Sequence, residues 1–548
     1  MVMSLLLALQ LTAAPADPAA VQSDHAQPAD ASRPATLVEG MGNLHHPIST
    51  KSDEAQKFFD QGLTFVYAFN HDEAIRSFKR AAELDPASPM PLWGIALALG
   101  PNINLDVAPD REKAAYDAAQ QALKLAAAAP PAERAYVAAV AKRYSNDPKA
   151  DLKALAAQYR DAMKDVTRAF PDDLDAAVLY AESIMDLRPW QLWSVDGTPA
   201  DGTLELVSVL ESVLARDPKH IGANHYYIHA VEASISPERA LDAAGRLPGL
   251  APAAGHLVHM PSHVYMRTGD YAGAVKANEA AVDVDRKYIE ATHPSGVYPE
   301  MYYNHNLDFL ASAAMMTGEF AKAGKAADEV VANALAGVNE MPMLEPFAAK
   351  KMFVLLRFAK WDDMLQVPAP DPKLKLLTAV WHFGRGVAQA KKGNAAAADQ
   401  ERTAYNAAKR EVPAAAEWGY NKASAIFAVA DAVLDARIWL AKKDLEQSIT
   451  AWKRAVAAQD RLSYDEPADW FYPVRESLAA ALLYAHRLDE TDRVMREELE
   501  HDPENPRILF LQYQFLTIVD DKDIALVMRR RFSDAWENSD VELKFDDY

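Results

Sequence analysis

The chain has 548 residues, a formal net charge of −21, 50% apolar residues and no cysteine. The apolar share supports a continuous core and argues against global disorder. The missing cysteine excludes thiolate metal sites, cysteine nucleophiles and disulfides. The acidic balance opposes broad binding to nucleic acid or anionic membranes. No P-loop, G-x-G-x-x-G, G-x-S-x-G or H-E-x-x-H motif occurs.

In chain order, Ser4 to Ala14 is an apolar run too short to span a bilayer, which takes about 20 residues. It reads as a signal-peptide core, with residues 1–16 removed on export to the periplasm or exterior. The first Lys or Arg is Arg33, so the usual basic lead-in is missing. Without export the chain would be cytoplasmic. Residues 17–48, rich in Ala, Pro and Asp, read as a disordered linker.

From residue 49 a 34-residue helical period takes over. In residues 55–88, small Gly62 and Ala74 let two helices approach. Phe65 and Phe78 fill the space around them, and Asp85-Pro86 ends the second helix. Weaker copies lie at 221–254 and 255–288, and near 304, 379 and 472. Helical stretches 151–169, 203–216, 427–441 and 446–461 link them. Breaks at 187–202 and 290–299 read as loops, the first a lid carrying Trp190. Pro368 and Pro370 mark a joint between lobes 49–365 and 366–548. This pattern resembles the tetratricopeptide-repeat superfamily over most of the chain. The resemblance implies an all-α, right-handed superhelix of helical hairpins, whose concave groove binds a peptide or protein segment.

Eight of the 15 histidines lie between His220 and His305. Two H-x-x-x-H pairs, His225/His229 and His259/His263, are offset by the repeat period of 34, so both fall at positions 5 and 9 of consecutive units. Residues i and i+4 of a helix are neighbours, so each pair can share a metal ion. Glu232, His256 and His305 fall on the same groove stripe. Pro261 interrupts the second helix. Glu182, Tyr227, Tyr265, Met266 and Tyr303 are further groove candidates, as are Trp470, Arg475 and Glu476 near the unit at 472. Arg475 can clamp a carboxylate or form an internal salt bridge. His45, His46, His220 and His293 read as linker, cap or loop residues.

The strings NHYYIHAVE (224–232), GHLVHMPSH (255–263), NHN (304–306), WGIALALGPNIN (93–104) and DEPADWFYPVRE (465–476) are similar to those of large bacterial tetratricopeptide-repeat proteins. That resemblance implies no reaction. Three functions follow. One is an exported solenoid whose groove holds copper, zinc or iron. The second is a metal-dependent oxidoreductase or hydrolase acting on a small molecule there. The third is a metal-free scaffold, its histidines recognising a peptide or sensing pH.

Overall fold

The computed structural model describes residues 33, 35–104 and 106–548. The run Ser4–Ala14, and with it the expected signal peptide over 1–16, lies outside them. Ser52 opens the first helix, Asp53–Tyr67, by accepting the Ala55 N–H at 3.1 Å. A turn at Ala68–Asn70 reverses the chain, and Asn70 caps the second helix, His71–Leu84. Phe78 is fully buried between Gly62 and the following Gly94. A Cβ added to either glycine would come within 2.6 Å of its ring. The next hairpin, Met90–Leu99 and Pro109–Ala126, therefore stacks against the first at glycine distance.

Hairpins of this kind continue to Lys522–Ala535. The helical stretches expected at 151, 203, 427 and 446 appear as Leu152–Ala169, Thr203–Arg216, Ala423–Ala441 and Leu445–Gln459. Sheet among the described residues is confined to a two-stranded ribbon, Glu417–Trp418 against Asn421–Lys422. The fold is an all-α solenoid of tetratricopeptide-type hairpins. Among the described residues no helix is long and apolar enough to cross a membrane.

Residues 35–48 are packed, which corrects their reading as part of a disordered linker. Val38 N–H donates to Gln61 Oε1 at 2.7 Å, and Gly40 O accepts from Ala253 N–H at 3.0 Å. His46 Nδ1 meets Asp175 Oδ2 at 2.8 Å. This segment straps the first helix to the unit at 251–255.

Three apolar cores follow one another along the solenoid. The first runs from Met41 to Tyr302, the middle one from Ala274 to Val354, and the last from Ala334 to Tyr548. The joint at 366–370 lies inside the last core, because Met364 and Leu376 both belong to it and Trp381 Nε1–H holds Val367 O at 2.8 Å. The change of core thus comes earlier than the prolines suggest. It comes beside the histidine units.

Candidate metal centre

Helix Ile221–Val231 carries His225 and His229 one turn apart, with Glu232 at its C-cap. Pro261 splits the next unit into Gly255–His259 and Pro261–Thr268. Met260 between them keeps right-handed helical backbone (φ −51°), so His256, His259 and His263 still face one way. His305 enters from helix Tyr303–Thr317, just after a π-turn at Tyr298–Tyr302. All of these except His305 are buried.

The six rings sort into two triads. His225, His229 and His256 bring one ligand atom each within 4.8 Å of one another, as do His259, His263 and His305. The rule is simple. Positions 5 and 9 of one unit are completed by position 2 of the next. Phe69 packs against the rings of the first triad, and Phe309 against those of the second. Glu232 joins the two: Oε1 accepts from His229 Nδ1 at 2.6 Å, and Oε2 from His263 Nδ1 at 2.5 Å.

The partners assign the tautomers. Burial opposes charge on Glu232, but the adjacent His263 and His229 rings hold its carboxyl well below the usual carboxylate range. It is therefore an acceptor, and both Nδ1 atoms carry hydrogen. His225 Nδ1 donates to Tyr67 O at 2.6 Å. Asn278 Nδ2 is committed to Ala274 O at 2.8 Å, so its Oδ1 accepts from His259 Nδ1 at 2.6 Å. The Nε2 lone pairs of His225, His229, His259 and His263 consequently point inward. Those of His259 and His263 face each other at 2.8 Å. His305 Nε2 lies 3.1 Å from His259 Nε2, and His256 Nε2 lies 3.1 Å from His225 Nε2. His229 Nε2 and His256 Nδ1 have no hydrogen-bond partner. Acceptor-anchored Nδ1 with free Nε2 is the arrangement of metal-ligating histidines. These groups can hold a metal ion.

A separate cluster, His46, Asp173 and Asp175, behaves differently. His220 Nδ1 accepts the Ala223 N–H at 3.2 Å, so its Nε2 carries the hydrogen that meets Asp175 Oδ1 at 3.2 Å. Tyr67 donates to Asp175 at 2.6 Å, and Tyr136 to Asp173 at 2.9 Å. Its acceptors already hold hydrogens, so this cluster is a clasp for the N-terminal strap.

The C-terminal lobe closes over the triads. The single Tyr464 hydroxyl lies within hydrogen-bond reach of both Glu232 Oε2 (3.3 Å) and Glu466 Oε1 (2.9 Å). Burial pushes Glu466 up to about 7. Trp190, from the inserted loop, stands edge-on to His229 with centroids 5.7 Å apart. It stacks on Tyr420 at 4.8 Å, and its Nε1–H donates to Asn104 Oδ1 at 3.1 Å. Tyr464, Tyr420, Asn278 and Phe69 carried no sequence signal, since none shares the repeat register of the histidines.

Several candidates lie elsewhere. Tyr227 is two residues from both His225 and His229, about 200° around the helix, and its hydroxyl binds Glu211 at 2.7 Å. Tyr303, two before His305, binds Glu329 and Arg286 by the same logic. Tyr265 and Met266 pack on the middle core. Glu182 faces Asp186 and Arg143. Trp470 packs among Phe353, Phe383 and Phe471. Arg475 pairs with Asp460 at 2.7 Å, the internal salt bridge. Glu476 is enclosed by Arg357, Arg507 and Asn505. The superhelix does curl back onto the histidines, but through Tyr420, Tyr464 and Glu466.

Burial and mutual proximity push His225, His256 and His259 well below the ordinary imidazole value, and His305 to about 3. Burial lowers His229 too, against Glu232. In the unfolded chain these rings titrate near 6.5, so as pH falls the unfolded state takes up protons first. His46 works in the opposite sense: burial would lower it, but Asp175 raises it. Metal-free protein is expected to lose stability from about pH 6.5 downward, by at most about 1.4 kcal/mol per pH unit for each depressed ring. Urea melts across that range check this; a midpoint unchanged down to about pH 5 would contradict it.

No family model matches the chain, and no curated protein matches it. Solved structures with a loose likeness include the human IFIT1 dimer with m7Gppp-AAAA. It is 12% identical at a TM-score of 0.33, over 89% of this chain and 91% of that one. Yeast Tom70 is 12% identical at a TM-score of 0.31, over 88% and 97%. The P58(IPK) TPR domain is 12% identical at 0.21, over 81% and 99%.

Proposed function

We propose that this solenoid is a transition-metal protein whose two triads each hold one ion of copper, zinc or iron. The supporting observation is the pair His259 and His263. Both present Nε2 lone pairs across 2.8 Å, because both Nδ1 hydrogens are committed, to Asn278 and to Glu232. Two lone pairs at that distance repel unless a cation lies between them. Burial and the neighbouring rings oppose a proton held on His259. A metal ion accepts both. Neutral imidazoles without thiolate suit copper, zinc or iron. Three protein ligands per ion leave a coordination position open, as in reactive rather than structural centres. That count favours the metalloenzyme reading over a closed storage site.

The test is metal content by mass spectrometry on protein made without a histidine tag. Two equivalents per chain are expected, and His225→Ala and His305→Ala should each remove one. Protein that retains well under one equivalent after loading and dialysis would refute the proposal.

A further inference from the structure

The hairpin Pro506–Ile518 and Lys522–Ala535 closes the array of the described residues. The chain beyond it turns back toward earlier hairpins. Phe320 N–H donates to Asp540 Oδ1 at 2.6 Å, and the Tyr548 hydroxyl donates to Arg507 O at 2.6 Å. The outer side of Lys522–Ala535 is left uncovered, and only Ala525 of that helix is buried. A terminal repeat is expected to turn a polar face to water. This one instead exposes Ile518, Val519, Ile524, Leu526 and Val527, with Leu526 at 67% and Val527 at 51%. No other stretch of the described residues exposes so many large apolar side chains so close together. An apolar patch of this kind marks an interaction surface.

The charge pattern selects the partner. The whole chain carries −21, so two copies repel over most of their surface. Between 518 and 535, however, four aspartates balance Lys522 and three arginines. Asp523 and Arg530 are two helical turns apart, so both lie on one line along the exposed side. Leu526 and Val527 flank that line, about 50° to either side. In an antiparallel pair of these helices, a two-fold axis can pass midway between Leu526 and Val527. Asp523 and Arg530 are equally far from that midpoint, so Asp523 of each copy meets Arg530 of the other. Leu526 then packs on its own equivalent, and so does Val527. A two-fold contact requires this self-complementarity. Arg530 is available for it, because its own pair with Asp534, at 3.9 Å, is largely exposed and holds little energy.

We infer that this face is a two-fold interface between copies of the chain, with the Lys522–Ala535 helices antiparallel and Asp523 paired to Arg530 across it. The helix has 14 residues. Its stripe is therefore about 21 Å long, at the small end of specific contacts. The expected dimer forms at micromolar concentration.

The test is sedimentation velocity on the full chain from about 1 to 100 µM. The expected result is a reversible monomer–dimer equilibrium. Leu526→Asp and Val527→Asp stand at exposed positions, and thermal melts should show both folded as the wild type. Each should weaken the dimer about tenfold or more. Asp523→Arg alone and Arg530→Asp alone should weaken it too, since each sets like charges together across the axis. The two changes combined should restore it. A chain that stays monomeric throughout would overturn the inference. So would a dimer indifferent to both apolar-to-aspartate variants, assemblies that grow beyond two copies, or a combined charge reversal no tighter than either single change.

Discussion

Glu232→Ala is expected to empty both triads at once. The carboxylate orients His229 of the first and His263 of the second, each through Nδ1. Losing such an anchor typically weakens a metal site about 10–100-fold, and here one side chain anchors two sites. The apo protein should also suffer, because two buried N–H donors lose their acceptor, at about 1–3 kcal/mol each. Glu232→Gln separates the two effects. Its amide has one acceptor oxygen, so one imidazole keeps its Nδ1–H. The other meets an N–H2 donor and must present its Nδ1 lone pair instead. Its hydrogen then moves to Nε2, which can no longer ligate. One of the two ions should be lost and one retained. Metal content after dialysis against a weak chelator reads both variants. Retention of both ions by Glu232→Gln would show that the carboxylate does not set the tautomers.

Glu476→Ala is expected to give the largest loss of stability in the C-terminal lobe. Glu476 is buried between two arginines, with Arg357 Nη2 at 3.0 Å from Oε1 and Arg507 Nε at 3.0 Å from Oε2. Asn505 Nδ2 also donates to it, at 3.0 Å. The arginines come from different hairpins, so the carboxylate ties three stretches of the solenoid together. Its removal leaves two guanidinium groups buried and unpaired, a change that costs about 3–5 kcal/mol. Arg475→Ala, one residue away, breaks only the partly exposed pair with Asp460 and should cost under about 1 kcal/mol. Thermal melts of both variants check the contrast. A Glu476→Ala melt no lower than that of Arg475→Ala would remove the network from any account of stability. Metal content should be unchanged in either, since neither residue touches a triad.

Much of this architecture was legible along the chain because it is local. Helix periodicity, a glycine opposite a phenylalanine and a capping Asn or Ser act within one hairpin, and the 34-residue period repeats them. The histidine pairs were legible for the same reason, since an i,i+4 spacing fixes two rings on one helix face. The sorting of six histidines into two triads was not, because His256 and His305 are assigned by how far each unit is displaced from the last. Pro261 shows the limit well. By itself it reads as a break, yet Met260 carries the helical course across it, and His263 still meets His259. The tautomers needed Tyr67 O, Asn278 and Glu232 in place, and the site's cover needed Tyr464 to return from 232 residues away. Register and period are properties of neighbours in sequence. Which face of the C-terminal lobe closes on the groove depends on small rotations between hairpins, summed over the whole array, and only the tertiary structure decides that sum.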